Sequence, residues 1–138
     1  MNEDYFEDIK TSLLKRREIV TSALSDLDGF SSTFSQGAFY LFPSIKNFLG
    51  KRIKDSDIIF NDTSFCLQLL LSEHIATVPG SSFGSKDSIR ISYALSEKDL
   101  RIGCKRIKDF CERIVWSWFF GKDLFKIIEL KHAWHKSY

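Results

Sequence analysis

No apolar run in this chain approaches the roughly 20 residues that a membrane-spanning helix needs, and the amino terminus, Met1-Asn2-Glu3-Asp4, is acidic where a secretory signal is basic. Both absences point away from the membrane and from export. A charge of one sign is lacking too: 20 Lys and Arg stand interspersed with 18 Asp and Glu, and the net charge of +2 is too weak a field to imply a nucleic-acid or membrane-surface partner. Cysteine is scarce, and Cys66, Cys104 and Cys111 are odd in number with no paired metal spacing. That excludes a disulfide framework and fits buried thiols in a reducing cytoplasm. Histidine is scarcer still in useful places. His74 stands alone, while His132 and His135 lie three apart with no cysteine or carboxylate nearby to complete a tetrahedral site, so no metal is expected. Neither a nucleophile elbow nor a phosphate loop occurs.

What the chain does have is the stretch from His74 to Ala94. Two apolar runs, His74-Ile-Ala-Thr-Val78 and Ser88-Ile-Arg-Ile-Ser-Tyr-Ala94, flank a glycine-rich loop, Pro79-Gly80-Ser81-Ser82-Phe83-Gly84. The order predicted is strand, irregular loop, strand. In the second run Ile89, Ile91 and Tyr93 alternate with Arg90, Ser92 and Ala94, so a pleated strand puts the three large side chains on one face and Arg90 on the other. A planar guanidinium there suits a carboxylate, which it meets in two parallel hydrogen bonds that lysine cannot reproduce. From spacing alone the competing reading is a structural salt bridge to a surface acid. The flanking Gly80 and Gly84 serve a strained turn more readily than a ligand, and Tyr40 and Tyr93 read as packing residues.

At 138 residues and 43% hydrophobic, the chain suffices for one globular domain that buries about two thirds of its unfolded surface. Phe6, Ile9, Leu13, Val20, Ala23, Leu24 and Leu27 form one stripe of an amphipathic helix over residues 1–27, with Asn2 or Asp4 as cap and Asp28-Gly29 as stop. That helix is long for so small a domain. Gly37 to Phe42, closed by Pro43, predicts a short strand, and Ser44 caps a brief helix ended by Gly50. Lys51 to Asp57 reads as a solvated loop. Asn61, Asp62, Thr63 and Ser64 offer caps for a helix to about Ser72, with Phe65, Leu69 and Leu70 turned to a sheet. Ser96-Glu-Lys-Asp99 opens a last helix, to at least Glu112, whose apolar positions are Leu100, Cys104, Ile107, Cys111 and Ile114. The order α, β, α, α, β, β, α defines an α+β domain: a small three-stranded sheet packed with helices, mainly on one face.

Val78-Pro79-Gly80-Ser81-Ser82-Phe83-Gly84 followed by Ile89-Arg90-Ile91-Ser92-Tyr93-Ala94 closely resembles the carboxyl-terminal small domain of class I pyridoxal-phosphate aminotransferases, especially bacterial aspartate aminotransferases. Gly37-Ala-Phe-Tyr-Leu-Phe-Pro43 is similar to that family's first small-domain strand, and the resemblance runs from Met1 to about Glu112. It implies that Arg90 binds the α-carboxylate of an amino-acid substrate and that Gly80, Phe83 and Gly84 line the active-site wall. It also implies that the long first helix, residues 1–28, runs past a large domain, and that the small domain spans residues 1–113.

In the resembled family the lysine that forms the imine, the acid at the pyridinium nitrogen and the phosphate donors come from the large domain. The resemblance therefore implies pyridoxal phosphate as cofactor, with no binding residues for it here. Ser12-Leu-Leu-Lys15 fits a bare S-x-x-K pattern by chance. The expectation is a fragment of a transaminase acting on an amino acid and a 2-oxo acid, silent by itself. A separate large-domain chain could complete it, and the resemblance also implies a possible homodimer, as the family is usually dimeric. The rival readings are a non-catalytic interaction module and the remnant of a decayed gene.

Residues 114–138, rich in Trp and Phe, lie beyond the stretch that carries the resemblance. They read as a further amphipathic helix, as the product of a shifted reading frame, or as a segment for a partner or a membrane surface.

Overall fold

Three apolar stripes at helical spacing and one alternating run decide the architecture. The computed structural model describes residues 3–28, 30 and 37–116. Helix α1 spans Glu3–Leu24, three residues short of the expected end, and the chain continues as two turns in which the Leu27 and Phe30 N–H groups donate to Leu24 and Leu27 carbonyls at 3.2 and 3.0 Å. Asn2, Gly29 and the Asp4 side chain, expected at the helix ends, lie outside what is described. The stripe is covered along half its length. Val20, Leu24 and Leu27 are buried in the core, whereas Phe6 and Ile9 remain 50% and 39% exposed.

Helix α2, Asp62–Glu73, starts at a capping box. Asn61 Oδ1 accepts from the Ser64 N–H at 2.8 Å, and Ser64 Oγ accepts from the Asn61 N–H at 3.0 Å. Phe65 and Leu69 are fully buried, but Leu70 is exposed, against expectation. One residue is a rotation of about 100° around a helix, so Leu69 and Leu70 cannot both face the core. Helix α3, Glu97–Glu112, begins at Ser96, whose Oγ accepts from the Asp99 N–H at 3.1 Å. Leu100, Cys104, Ile107, Phe110 and Cys111 form its buried stripe, and Ile114 is buried just beyond its end. The rings of Phe65 and Phe110 meet edge to face at 5.3 Å where α2 crosses α3. Surface ion pairs join the helices: Lys15 Nζ to Glu97 at 2.9 Å between α1 and α3, and Glu73 to Arg113 between α2 and the end of α3.

Strands β1 (Tyr40–Leu41), β3 (Val78–Pro79) and β4 (Ile89–Ser92) form an antiparallel sheet in the order β1-β4-β3. Leu41 faces Ile91, and Val78 faces Arg90, across the ladders. Ile89, Ile91, Tyr93 and Leu41 point into the core and Arg90 and Ser92 point out, as the alternation requires. The α+β class thus holds, with the three-stranded sheet in place.

Two short segments depart from expectation. His74 to Thr77 makes no ladder, because His74 adopts a left-handed turn at φ 58° that closes α2. Lys51–Arg52 is strand β2 rather than a solvated loop, and it pairs with strand β5, Val115–Trp116. The reason is backbone: Gly50, at φ 78°, turns the chain so that the Gly50 N–H donates to Ile59 O and the Ile59 N–H to Lys51 O, both at 2.8 Å. The remaining edge is open to residues 115–116. Residues 117–138, the bulk of the aromatic tail, fall outside the described set. Among the described residues no helix is long and apolar enough to cross a membrane.

All three cysteines are free and buried. Burial pushes the Cys104 thiol from 9.0 to about 11, and burial together with the Glu112 carboxylate pushes Cys111 to about 12. Folding thus raises both values. The stability these neutral thiols contribute is complete below pH 9.0 and is lost as pH rises through about 11 and 12. The thermal midpoint should therefore fall between those limits, and the double variant Cys104→Ala/Cys111→Ala should show a flatter decline over the same range. A second expectation concerns the aromatic junction. Phe110→Ala should cost about 3–5 kcal/mol in urea unfolding, while Leu71→Ala, at a position 69% exposed, should stay within about 0.5 kcal/mol of the parent.

Candidate functional site

The pleat that buries Ile89 and Ile91 delivers Arg90 to the outer face of the central strand. Two rings meet it there, one from each side. Tyr40, on β1, has its ring centroid 4.3 Å from the guanidinium carbon, and Phe83, in the turn after β3, has its own at the same 4.3 Å. Phe42 supports Phe83 edge to face at 5.7 Å. Among the described residues no carboxylate pairs with Arg90; the acids that do form ion pairs are held by Lys10, Lys15, Lys105 and Arg113. The alternative of a structural salt bridge therefore finds no acid partner for Arg90 among the described residues. A cation stacked on ring faces keeps its N–H donors, which lie in the guanidinium plane, directed sideways. The Arg90 guanidinium is thus charged, oriented by two rings and partly exposed.

The loop before β4 is tightly folded. Gly80 to Phe83 forms a 3₁₀ turn closed by Gly84 at φ 78°. The Gly80 N–H donates to Ser88 O at 2.8 Å, and Ser88 Oγ donates to Ser85 O at 2.7 Å. Gly80 is buried against these groups, and a Cβ there would stand 2.7 Å from Ser88 O and closer still to Ser88 Oγ and Ser85 O. Its glycine is thus a packing requirement, whereas Gly84 answers a backbone one. Phe83, 49% exposed, projects from this turn over Arg90. The structure thus brings together Arg90, Phe83 and the loop glycines that the sequence pointed to.

Two participants escaped the sequence reading. Tyr40 is not a packing residue but half of the aromatic hold on Arg90. The signal was available, since Tyr40 and Phe42 alternate with buried Leu41, yet nothing in the sequence tells which strand lies beside Arg90. Tyr93 does pack: it is buried and its hydroxyl donates to Ala38 O at 2.8 Å. The second omission is Asp62, read only as a possible cap. Its carboxylate is buried, and it accepts from the Ser81 N–H at 2.7 Å and the Thr63 N–H at 2.9 Å. Burial opposes ionisation there, but the Ser81 and Thr63 donors outweigh it and hold the carboxyl below its usual range. Elsewhere, His74 sits at the end of α2, and among the described residues no group of His, Cys, Asp and Glu is arranged to hold a metal; His132 and His135 lie outside them.

The family model for class I and II aminotransferases matches residues 1–107. The aspartate aminotransferase of Rhizobium meliloti is 38% identical over 112 residues, which cover 81% of this chain and 27% of that protein. A probable aspartate/prephenate aminotransferase of Rhizobium leguminosarum is 39% identical over 109 residues, 79% of this chain and 27% of the relative. The crystal structure of an aspartate aminotransferase from Rhizobium meliloti superposes with a TM-score of 0.80 at 37% identity, over 83% of this chain and 29% of that one. An aromatic aminotransferase from Pyrococcus horikoshii follows at 0.67 and 26% identity, over 80% and 28%. The fold is that of an α+β aminotransferase-like domain, and this chain belongs to the class I and II aminotransferase family. It spans about a quarter of the length of the curated relatives it matches.

The contrast between the two glycines is testable. Gly80→Ala should cost about 3 kcal/mol or more in urea unfolding, because backbone oxygen blocks the new methyl. Gly84→Ala, where a Cβ meets nothing within 4 Å, should cost only the positive-φ strain of about 1 kcal/mol. Equal costs would remove the packing argument.

Proposed function

We propose that residues 1–113 act as the small domain of an aspartate-aminotransferase-like transaminase, which moves an amino group from an amino acid to a 2-oxo acid by way of pyridoxal phosphate. In this reading Arg90 clamps the α-carboxylate of the substrate, and Gly80, Phe83 and Gly84 form the wall beside it. The observation that carries the reading is the Arg90 guanidinium, held on the outer sheet face by two rings and paired to no acid among the described residues. The names of the relatives support the substrate class.

In this reading the cofactor is held by the large domain. It needs an amine for the imine, an acid for the ring nitrogen and donors for the phosphate. The buried acid, Asp62, is committed to the Ser81 and Thr63 N–H groups, and Lys10, Lys15 and Lys105 hold surface acids. We therefore assign to these residues the reading of the carboxylate and closure over the site, and no step on the cofactor. Closure of this kind excludes water and aligns the reacting carbon.

The uncovered half of α1, with Phe6 and Ile9 exposed, favours docking against a large domain carried by a separate chain. The three free, buried thiols suit a cytoplasmic setting.

The test is reconstitution. The chain is mixed with a protein carrying the lysine-bearing portion of an aspartate aminotransferase, and amino transfer is followed. Activity should appear only in the mixture. Arg90→Lys should raise the KM for the amino acid about a hundredfold, the loss of a bidentate charged pair, with an unchanged far-UV circular dichroism spectrum. An unaltered KM would sink the Arg90 assignment, and silence of every mixture would favour a non-catalytic module.

A further inference from the structure

The turn that carries Phe83 is bonded to the start of β4 through Ser88, by the Gly80 N–H to Ser88 O and Ser88 Oγ to Ser85 O, but its exposed tip has fewer ties. Residues 81 to 86 are all exposed, the turn is a single 3₁₀ stretch of four residues, and the bonds from Ser85 N–H to Gly80 O and from Gly84 N–H to Ser81 O stay within the loop. A 3₁₀ turn has poorer hydrogen-bond geometry than an α-helical one, so a bond from outside it counts for more. Among the described residues, the hydrogen bond that reaches from this turn to another helix is the one from the Ser81 N–H to Asp62 Oδ2, 2.7 Å long and 19 residues apart in sequence. Asp62 is itself buried and doubly bonded. It is the first residue of α2, it is 5% exposed, and its other carboxylate oxygen accepts the Thr63 N–H at 2.9 Å.

We propose that Asp62 is a positioning residue for Arg90: through the Ser81 N–H it ties the Gly80–Phe83 turn to α2, and so sets the Phe83 ring against the guanidinium. The proposal rests on the reading of Arg90 as the carboxylate receptor. Asp62 does not touch the guanidinium; its effect passes through Ser81, whose amide and hydroxyl both face the carboxylate, and through one ring. A purely structural role, that of starting α2, belongs to the neighbouring Asn61, which closes the capping box with Ser64. The two residues are adjacent, both serve the helix start, and only Asp62 reaches the turn. That difference makes the idea separable from a general loss of stability.

The experiment uses the whole chain, labelled with ¹⁵N, and reads the Arg90 Nε–Hε resonance, which the two ring currents displace upfield. Asp62→Ala should move this resonance toward the position of a free arginine, and Asp62→Asn, which keeps an acceptor oxygen, should restore it. Asn61→Ala should lower the unfolding midpoint while leaving the resonance in place. Titration with succinate, as a simple dicarboxylate, should show binding about three- to tenfold weaker in Asp62→Ala than in the parent. Should Asp62→Ala fail to fold, Asp62→Ser keeps an oxygen at the helix start but is too short to reach Ser81, and must show the same displacement. A folded Asp62→Ala or Asp62→Ser with the Arg90 resonance unmoved overturns the proposal. If succinate leaves the parent resonance unchanged, the carboxylate reading falls, and the ring-current comparison still decides the role of Asp62.

Discussion

A two-residue pleat repeat on β4 forces the choice on which the site turns: once Ile89 and Ile91 go in, Arg90 must come out. Both isoleucines are buried under the helices, and a slip of one residue would expose them and bury a guanidinium at a cost of several kcal/mol. The register is further pinned from both sides, by Leu41 opposite Ile91 and by Pro79 opposite Ile89. A central strand has no free edge, so neither neighbour can shift without the other. The core thus fixes the direction of the arginine, although the arginine takes no part in the core.

How that charge is held matters as much as where. Were a carboxylate beside it, the guanidinium would be neutralised and its fork of donors filled, leaving little for a ligand. Aromatic faces act differently. Tyr40 and Phe83 attract the cation through their ring quadrupoles, by about 0.5–1 kcal/mol at a half-exposed site, and they leave its in-plane donors free. The arrangement orders a long side chain whose rotamers would otherwise have to be frozen on binding. It also places the hold on three separate segments, β1, β4 and the turn after β3, so the site is a property of the assembled sheet.

What was legible in the sequence follows a physical division. Side-chain periodicity showed itself. The stripe from Leu100 to Cys111 marked α3, the alternation from Ile89 to Tyr93 marked β4, and the motif from Val78 to Ala94 carried the family. Interactions made by backbone, or across long separations, did not show. Lys51 and Arg52 look solvated by composition, yet Gly50 and Ile59 organise their backbone into a strand. Leu70 is as apolar as Leu69 and faces the other way. Tyr40 and Asp62 lie 50 and 19 residues from the groups they serve, and no local pattern advertises a ring that stacks on a distant cation or a carboxylate that accepts a distant amide.

The same division separates stability from function in this fold. Phe65, Leu69, Ile107 and Phe110 lie on the inner side of the sheet, where volume and rotamer govern. Arg90, Tyr40 and Phe83 lie on the outer side, where removing a side chain leaves the packing of α1, α2 and α3 intact. Asp62 bridges the two regimes, because its carboxylate is buried at the start of a core helix while its acceptor oxygen faces a surface turn. In the proposed reading such a body carries Arg90 through a domain movement without rearranging it: helix, turn, ring and guanidinium travel together. That is the mechanical requirement for an element that closes over a substrate, since binding free energy otherwise spent on ordering the arginine remains available to hold the closed state.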